Sequence, residues 1–96
     1  MLVLVTYDVN TETASGKTRL RKVSKVCVKY GQRVQNSVFE CVIDAAQFAE
    51  IKEELTSLID PSVDSLRFYR LGNNYKTKID HVGKAVEFPQ DDVLIL

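Results

Sequence analysis

Residues 2–7, Leu-Val-Leu-Val-Thr-Tyr, are almost unbroken in apolar and branched character, and Asp8 and Asn10 close the run. A strand of this kind is apolar on both sides, so it has to be buried, and the rest of the chain must cover it. From about Lys17 to Tyr30 the apolar residues recur as Leu20, Val23, Val26 or Cys27, and Tyr30, which is helical spacing. Gly31 stands where a helix C-terminal cap belongs. Lys22, Lys25 and Lys29 follow the same spacing on another face. One helix therefore carries an apolar stripe and a basic stripe.

Residues 33–43 read as a second strand. One of its faces would carry Arg33, Gln35, Ser37, Phe39 and Cys41, and the other Val34, Asn36, Val38, Glu40 and Val42. Mixed polarity on both faces points to contact of one face with a partner or ligand. Asp44 and Gln47 have capping-box spacing. Phe48, Ile51, Leu55 and Leu58 then mark the buried stripe of a second helix, ended by Pro61. Residues 65–71 read as a third strand, Gly72-Asn73-Asn74 as a turn and residues 76–82 as a short fourth strand. The final Asp-Asp-Val-Leu-Ile-Leu, residues 91–96, is a terminal strand that needs a sheet to pair with, such as that of another subunit. Two helices on one face of a short sheet make a ferredoxin-like α+β sandwich of βαββαβ type the economical architecture.

A chain of 96 residues is one domain with a modest core, and 1–96 is read as a single unit. No apolar run approaches the about 20 residues of a membrane span. The first residues lack the basic flank and small-residue cleavage site of a secretory signal, so the expected location is cytoplasmic. Cys27 and Cys41 lie far apart, with no CxxC and one histidine, His81, which argues against a zinc site or disulfide framework. The formal net charge of zero hides a bipolar chain. Lys17, Arg19, Arg21, Lys22, Lys25, Lys29 and Arg33 form an acid-free basic segment, while Glu40, Asp44, Glu50, Glu53, Glu54 and Asp60 face Lys52 alone.

Gly16-Lys17-Thr18 imitates the end of a phosphate-binding P-loop. The full signature places another glycine five residues before Gly16, where this chain has Thr11. The segment reads instead as a loop in which Ser15 caps the basic helix and Lys17 opens it. Asp8 is the more telling residue, a carboxylate at the end of an apolar strand. It suits either a turn or a magnesium ion, which takes one or two carboxylates plus waters and substrate phosphates. In a twofold dimer an Asp near the axis becomes a pair.

Three pieces together resemble the CRISPR-associated protein 2 family. They are Tyr7-Asp8 at a strand end; the Arg and Lys residues from Arg19 onward, followed by Tyr30-Gly31; and Arg33-Val34-Gln35-Asn36-Ser37-Val38-Phe39-Glu40, with Asp-Ser-Leu-Arg-Phe-Tyr-Arg-Leu at 64–71 behind them. The resemblance covers most of the chain and loosens over residues 76–96. It implies a ferredoxin-like homodimer in which residues 91–96 complete the partner's sheet. It also implies a role in CRISPR spacer acquisition, bridging copies of the integrase, CRISPR-associated protein 1, and holding double-stranded DNA. Members are described as magnesium-dependent endonucleases acting on single-stranded RNA or double-stranded DNA, with Mn2+ a possible substitute. Carried over by motif, Asp8, shared with Asp8 of the partner subunit, is the catalytic and metal residue. Arg19, Arg21, Lys22 and Arg33 are the phosphate contacts, and Tyr7, Ser37 and Phe39 support them. The alternatives are a non-catalytic DNA scaffold and, from the versatility of the fold alone, a small-ligand regulatory module.

Overall fold

The computed structural model describes residues 1–83. The apolar opening segment becomes β1 (Leu2–Asp8), which lies inside a four-stranded sheet of order β2-β3-β1-β4, with β2 (Gln32–Gln35), β3 (Val38–Val42) and β4 (Ser65–Gly72). All three pairings are antiparallel, and β1 runs beside β3 and β4 with Val5 facing Phe39 on one side and Phe68 on the other. This is the expected βαββαβ ferredoxin-like arrangement. Helices α1 (Ala14–Tyr30) and α2 (Ala45–Leu58) cover one face of β1, while Leu4 and Thr6 on the other face are only half-buried, so the strand is not enclosed on both sides as its composition suggests. Val3, Val5, Tyr7, Phe39 and Cys41 from the sheet pack with Val23 and Cys27 of α1 and Ile51 and Leu55 of α2. Phe48 of α2 meets Phe68 of β4 edge to face, with ring centroids 5.8 Å apart.

Three local expectations change. Residues 33–43 are a hairpin rather than one strand: the chain reverses at Asn36-Ser37, between β2 and β3, and a bulge follows Arg33. Asn and Ser favour such a reversal because their side chains can compete for backbone hydrogen bonds. The apparent mixed polarity arose from reading two strands as one, and it identifies no ligand face. Residues 76–82 form no strand; Lys76–Lys78 make a single 3-10 turn and the rest is irregular. The expected terminal strand at 91–96 lies outside the described residues.

The third change concerns the imitation P-loop. Thr13, not Ser15, caps α1, its hydroxyl accepting the Gly16 N–H at 3.0 Å. Thr13 is extended while Ser15 already lies in the first helical turn, so only Thr13 has the cap geometry. Gly16 is buried against the preceding loop, where a Cβ would overlap the Asn10 carbonyl oxygen and stand 3.3 Å from Thr11 Cα. Its lack of a side chain lets backbone approach backbone. Gly31 serves the same purpose at the other end of α1: its backbone is extended, with φ −156°, but a Cβ there would stand 2.5 Å from the Glu40 carbonyl oxygen.

Gly16→Ala therefore separates two effects of opposite sign. Helix propensity alone favours alanine by up to about 1 kcal/mol. The close approach to backbone that cannot rotate away predicts a net loss of about 1–3 kcal/mol, readable as a lowered denaturation midpoint. A midpoint at or above wild type would show that the loop yields to the methyl group. The start of α2 matches its sequence pattern, since Asp44 Oδ1 accepts the Gln47 N–H at 2.7 Å and Gln47 Oε1 accepts the Asp44 N–H at 3.0 Å.

Candidate nucleic-acid and metal site

Strand alternation sends Val3, Val5 and Tyr7 of β1 toward the helices and Leu4, Thr6 and Asp8 toward the other face of the sheet. Asp8 is exposed at the strand end, opposite Ser65 of β4. Arg67 stands opposite Thr6, so it occupies the same face two residue pairs along from Asp8, and its Nη1 donates to the Tyr69 hydroxyl at 3.1 Å. The alternation within Ser-Leu-Arg-Phe-Tyr-Arg-Leu carries this placement, but it becomes informative only once the β1–β4 register is known.

Tyr7 begins the second half of the arrangement, on the helix side. Its ring stacks on Phe39 with centroids 6.2 Å apart, and its hydroxyl donates to the Asn36 carbonyl at 3.3 Å. Arg33, 8% exposed, lies with its guanidinium 4.9 Å from the Phe39 ring centre. Its Nη1 donates to the same Asn36 carbonyl at 2.7 Å, and its Nη2 donates to the Ser24 hydroxyl of α1. Ser37 contributes backbone, its carbonyl accepting the Tyr7 N–H at 3.2 Å. Tyr7, Arg33, Ser37 and Phe39 thus do come together, as a cluster that locks the β2–β3 hairpin to β1 and α1. Ser24 was missed at the sequence level. Its signal was a polar residue at the i+1 and i−3 positions of the buried Val23 and Cys27.

The four expected phosphate contacts divide into two kinds. Arg21 and Lys22 are exposed on α1, together with Lys17, Lys25 and Lys29. Arg33 is buried as described. Arg19 turns inward, its Nε donating to Asp64 Oδ2 at 2.8 Å. Lys22, Lys25 and Lys29 border a groove between the helices whose floor includes Val26 and Leu58. Lys29 is also within 3.5 Å of Glu54 Oε1, the atom that accepts the Tyr30 hydroxyl at 2.9 Å.

The donor chemistry suits a hard cation. Burial pushes the Cys41 thiol up to about 11 and the Cys27 thiol higher still, so neither is a thiolate at neutral pH and neither is a ready nucleophile or soft-metal ligand. Among the described residues no three His, Cys, Asp or Glu side chains converge. His81 is exposed and its Nε2 contacts the Gly83 carbonyl at 2.7 Å. What the Asp8 position offers is one accessible carboxylate, fitting an ion that keeps most of its waters.

Comparison with known proteins identifies the family. Residues 1–79 match the family described as CRISPR associated protein Cas2. The chain belongs to the Cas2 family. It is 61% identical over 95 residues, 99% of both chains, to the CRISPR-associated endonuclease Cas2 of Halalkalibacterium halodurans. It is 52% identical over 96 residues, 100% of both chains, to the CRISPR-associated endoribonuclease Cas2 of Chlorobaculum tepidum. The crystal structure of Streptococcus pyogenes Cas2 superposes with a TM-score of 0.75 at 59% identity, covering 86% of this chain and 100% of that one. As in the ferredoxin-like expectation, this Cas2 chain is α+β, and no helix among its described residues is long and apolar enough to cross a membrane.

Proposed function

We propose that this Cas2 chain is a magnesium-dependent endonuclease that also holds DNA, working as a homodimer during spacer acquisition in the cytoplasm. The observation that carries the reading is the exposed Asp8 carboxylate at the end of a buried central strand, on the face the helices leave open. The endonuclease and endoribonuclease names of the relatives from H. halodurans and C. tepidum support it. Asp8 and its copy in the partner subunit would hold Mg2+, or Mn2+ in its place. An ion held there would supply charge stabilisation at the phosphodiester and a more acidic water. Lys17, Arg21 and Lys22 neutralise backbone phosphates without reading sequence, as exposed cations on one helix do. The buried Tyr7–Arg33–Phe39 cluster keeps the strand that carries Asp8 rigid. In the adaptation complex, the same basic surface holds duplex DNA while the dimer bridges copies of the integrase, CRISPR-associated protein 1.

A DNA-holding role without cleavage is the second reading, favoured by the contrast between one exposed carboxylate at the strand end and five exposed cations on α1. A metal titration of cleavage on matched single-stranded RNA and duplex DNA tests the first reading, with Arg21→Glu/Lys22→Glu measured beside wild type. Cleavage that requires Mg2+ or Mn2+ is expected. The charge-reversed protein should bind duplex DNA more weakly, with a salt slope shallower by about 2 if both side chains reach phosphates. Metal-independent or absent cleavage would leave the scaffold reading, and an unchanged salt slope would remove α1 from the interface.

A further inference from the structure

Asp64 is the most heavily bonded carboxylate among the described residues, and nothing in its local sequence announces it. Its side chain is 0% exposed. Oδ2 accepts Arg19 Nε at 2.8 Å and the Asp60 N–H at 2.9 Å. Oδ1 accepts the Asn10 N–H at 2.9 Å and, at a longer 3.4 Å, Arg19 Nη2. The remaining guanidinium nitrogen, Nη1, donates to Ser15 Oγ at 3.3 Å, and Ser15 Oγ lies 3.1 Å from the hydroxyl of the α1 cap, Thr13. Burial alone would raise the Asp64 pKa, but the hydrogen bonds from Arg19, Asp60 and Asn10 outweigh it and hold the carboxyl below its ordinary value.

The placement of this hub matters more than its strength. Asp8 pairs with Ser65, the residue immediately after Asp64, and the chain leaving Asp8 is tied to Asp64 two residues later through the Asn10 amide. Both ways out of the Asp8 position, across the ladder and along the chain, therefore end on the same carboxylate. Buried ion pairs contribute little net stability compared with well-packed apolar residues, while two-point guanidinium–carboxylate contact fixes orientation.

We infer that Asp64 and Arg19 are positioning residues for Asp8, holding the loop after β1 so that the Asp8 carboxylate is presented in one geometry. The inference rests on the proposed role of Asp8. It gives Arg19 a partner inside the protein instead of a phosphate outside it, and it brings Asp64 into the site.

The two roles for Arg19 predict different behaviour. A phosphate-binding Arg19 would lose affinity and salt slope on Arg19→Ala, and Asp64→Asn would leave the Mn2+ requirement for cleavage unchanged. If the pair positions Asp8, Asp64→Asn and Arg19→Ala should each raise the half-saturating Mn2+ concentration for cleavage by about 10–100-fold, the usual cost of losing an outer-shell partner. Duplex affinity and its salt slope, measured without divalent metal, should stay at wild-type values. The double variant should be no worse than either single, because the two side chains act as one unit. Amide hydrogen exchange at Asn10 should accelerate in each variant. Should Asp64→Asn unfold at the assay temperature, the neutral pair Asp64→Asn/Arg19→Gln takes its place, with the same rise in Mn2+ requirement expected.

Folded variants that cleave with wild-type Mn2+ dependence would overturn the inference while leaving Asp8 in place. So would an Arg19→Ala protein whose salt slope falls by about 1. Wild-type protein that neither binds Mn2+ nor cleaves would overturn the reading of Asp8 itself, and the positioning role with it.

Discussion

Replacing Asp8 by alanine is expected to reduce metal-dependent cleavage by about 10³-fold or more while leaving the fold intact. Metal ions contribute several kcal/mol of charge stabilisation, and each 1.36 kcal/mol is a factor of about ten in rate. The Asp8 side chain is exposed and lies outside the buried cluster, so its removal should change stability by no more than about 0.5 kcal/mol. Nucleic-acid affinity without divalent metal should hold or rise slightly, because a negative charge is lost. Cleavage kinetics across a Mg2+ titration, thermal denaturation and a binding isotherm on the same preparation check all three. A purified Asp8→Ala protein that cleaves as fast as wild type would remove Asp8 from the chemistry and make a contaminating nuclease the explanation.

Phe39→Ala is the second large effect, and it acts through packing. Phe39 is 0% exposed, and its ring is held between the Tyr7 ring and the Arg33 guanidinium. Truncating a buried phenylalanine costs about 3–5 kcal/mol, a large share of the 5–15 kcal/mol typical of a domain. The loss also leaves Arg33 without the ring beneath its guanidinium. Urea denaturation should show the midpoint falling with little change in slope. Phe39→Leu separates support from substrate contact, since it keeps most of the apolar volume and removes the ring. If Phe39 acts by supporting β1, the leucine variant should retain most cleavage and most stability. Near-complete loss of cleavage in a stable Phe39→Leu protein would place the ring against the substrate.

The contrast between these residues follows from their positions on the sheet. Tyr7 and Asp8 are neighbours in sequence and point to opposite faces, so one belongs to the core and the other to solvent. Within Arg33 to Glu40, Arg33 and Phe39 are buried, Gln35 is exposed, and Asn36 and Ser37 form the turn.

Hydrophobic periodicity alone was enough to place both helices, because their apolar residues repeat every three or four positions whatever they pack against. The Asp44–Gln47 box is likewise a local device, complete within four residues. The hairpin at 33–43 was illegible for the opposite reason. A two-residue reversal at Asn36-Ser37 breaks alternation, and no glycine marks it. Thr13 and Ser15 are equally good caps by composition, and only the backbone angle at Thr13 chose between them.

Asp8 stands out in the sequence because an acid ending an apolar strand contrasts with its own neighbours, and the fold leaves it exposed at the end of β1. The basic character of α1 was legible for the same reason, as an unbroken local run of positive charge. Which of those cations face outward was decided only by tertiary structure. Arg19 and Arg21 are two residues apart on one helix, yet Arg19 meets Asp64, 45 positions along the chain, and Arg21 meets solvent. Charge is a property of the residue, whereas its partner is a property of the fold. Periodicity, caps and charge runs are short-range and can be read in order. The pairing of Arg19 with Asp64, the burial of Arg33 beside Phe39 and the alignment of Arg67 with the Asp8 face depend on sheet register and helix docking, which exist only once distant segments have packed.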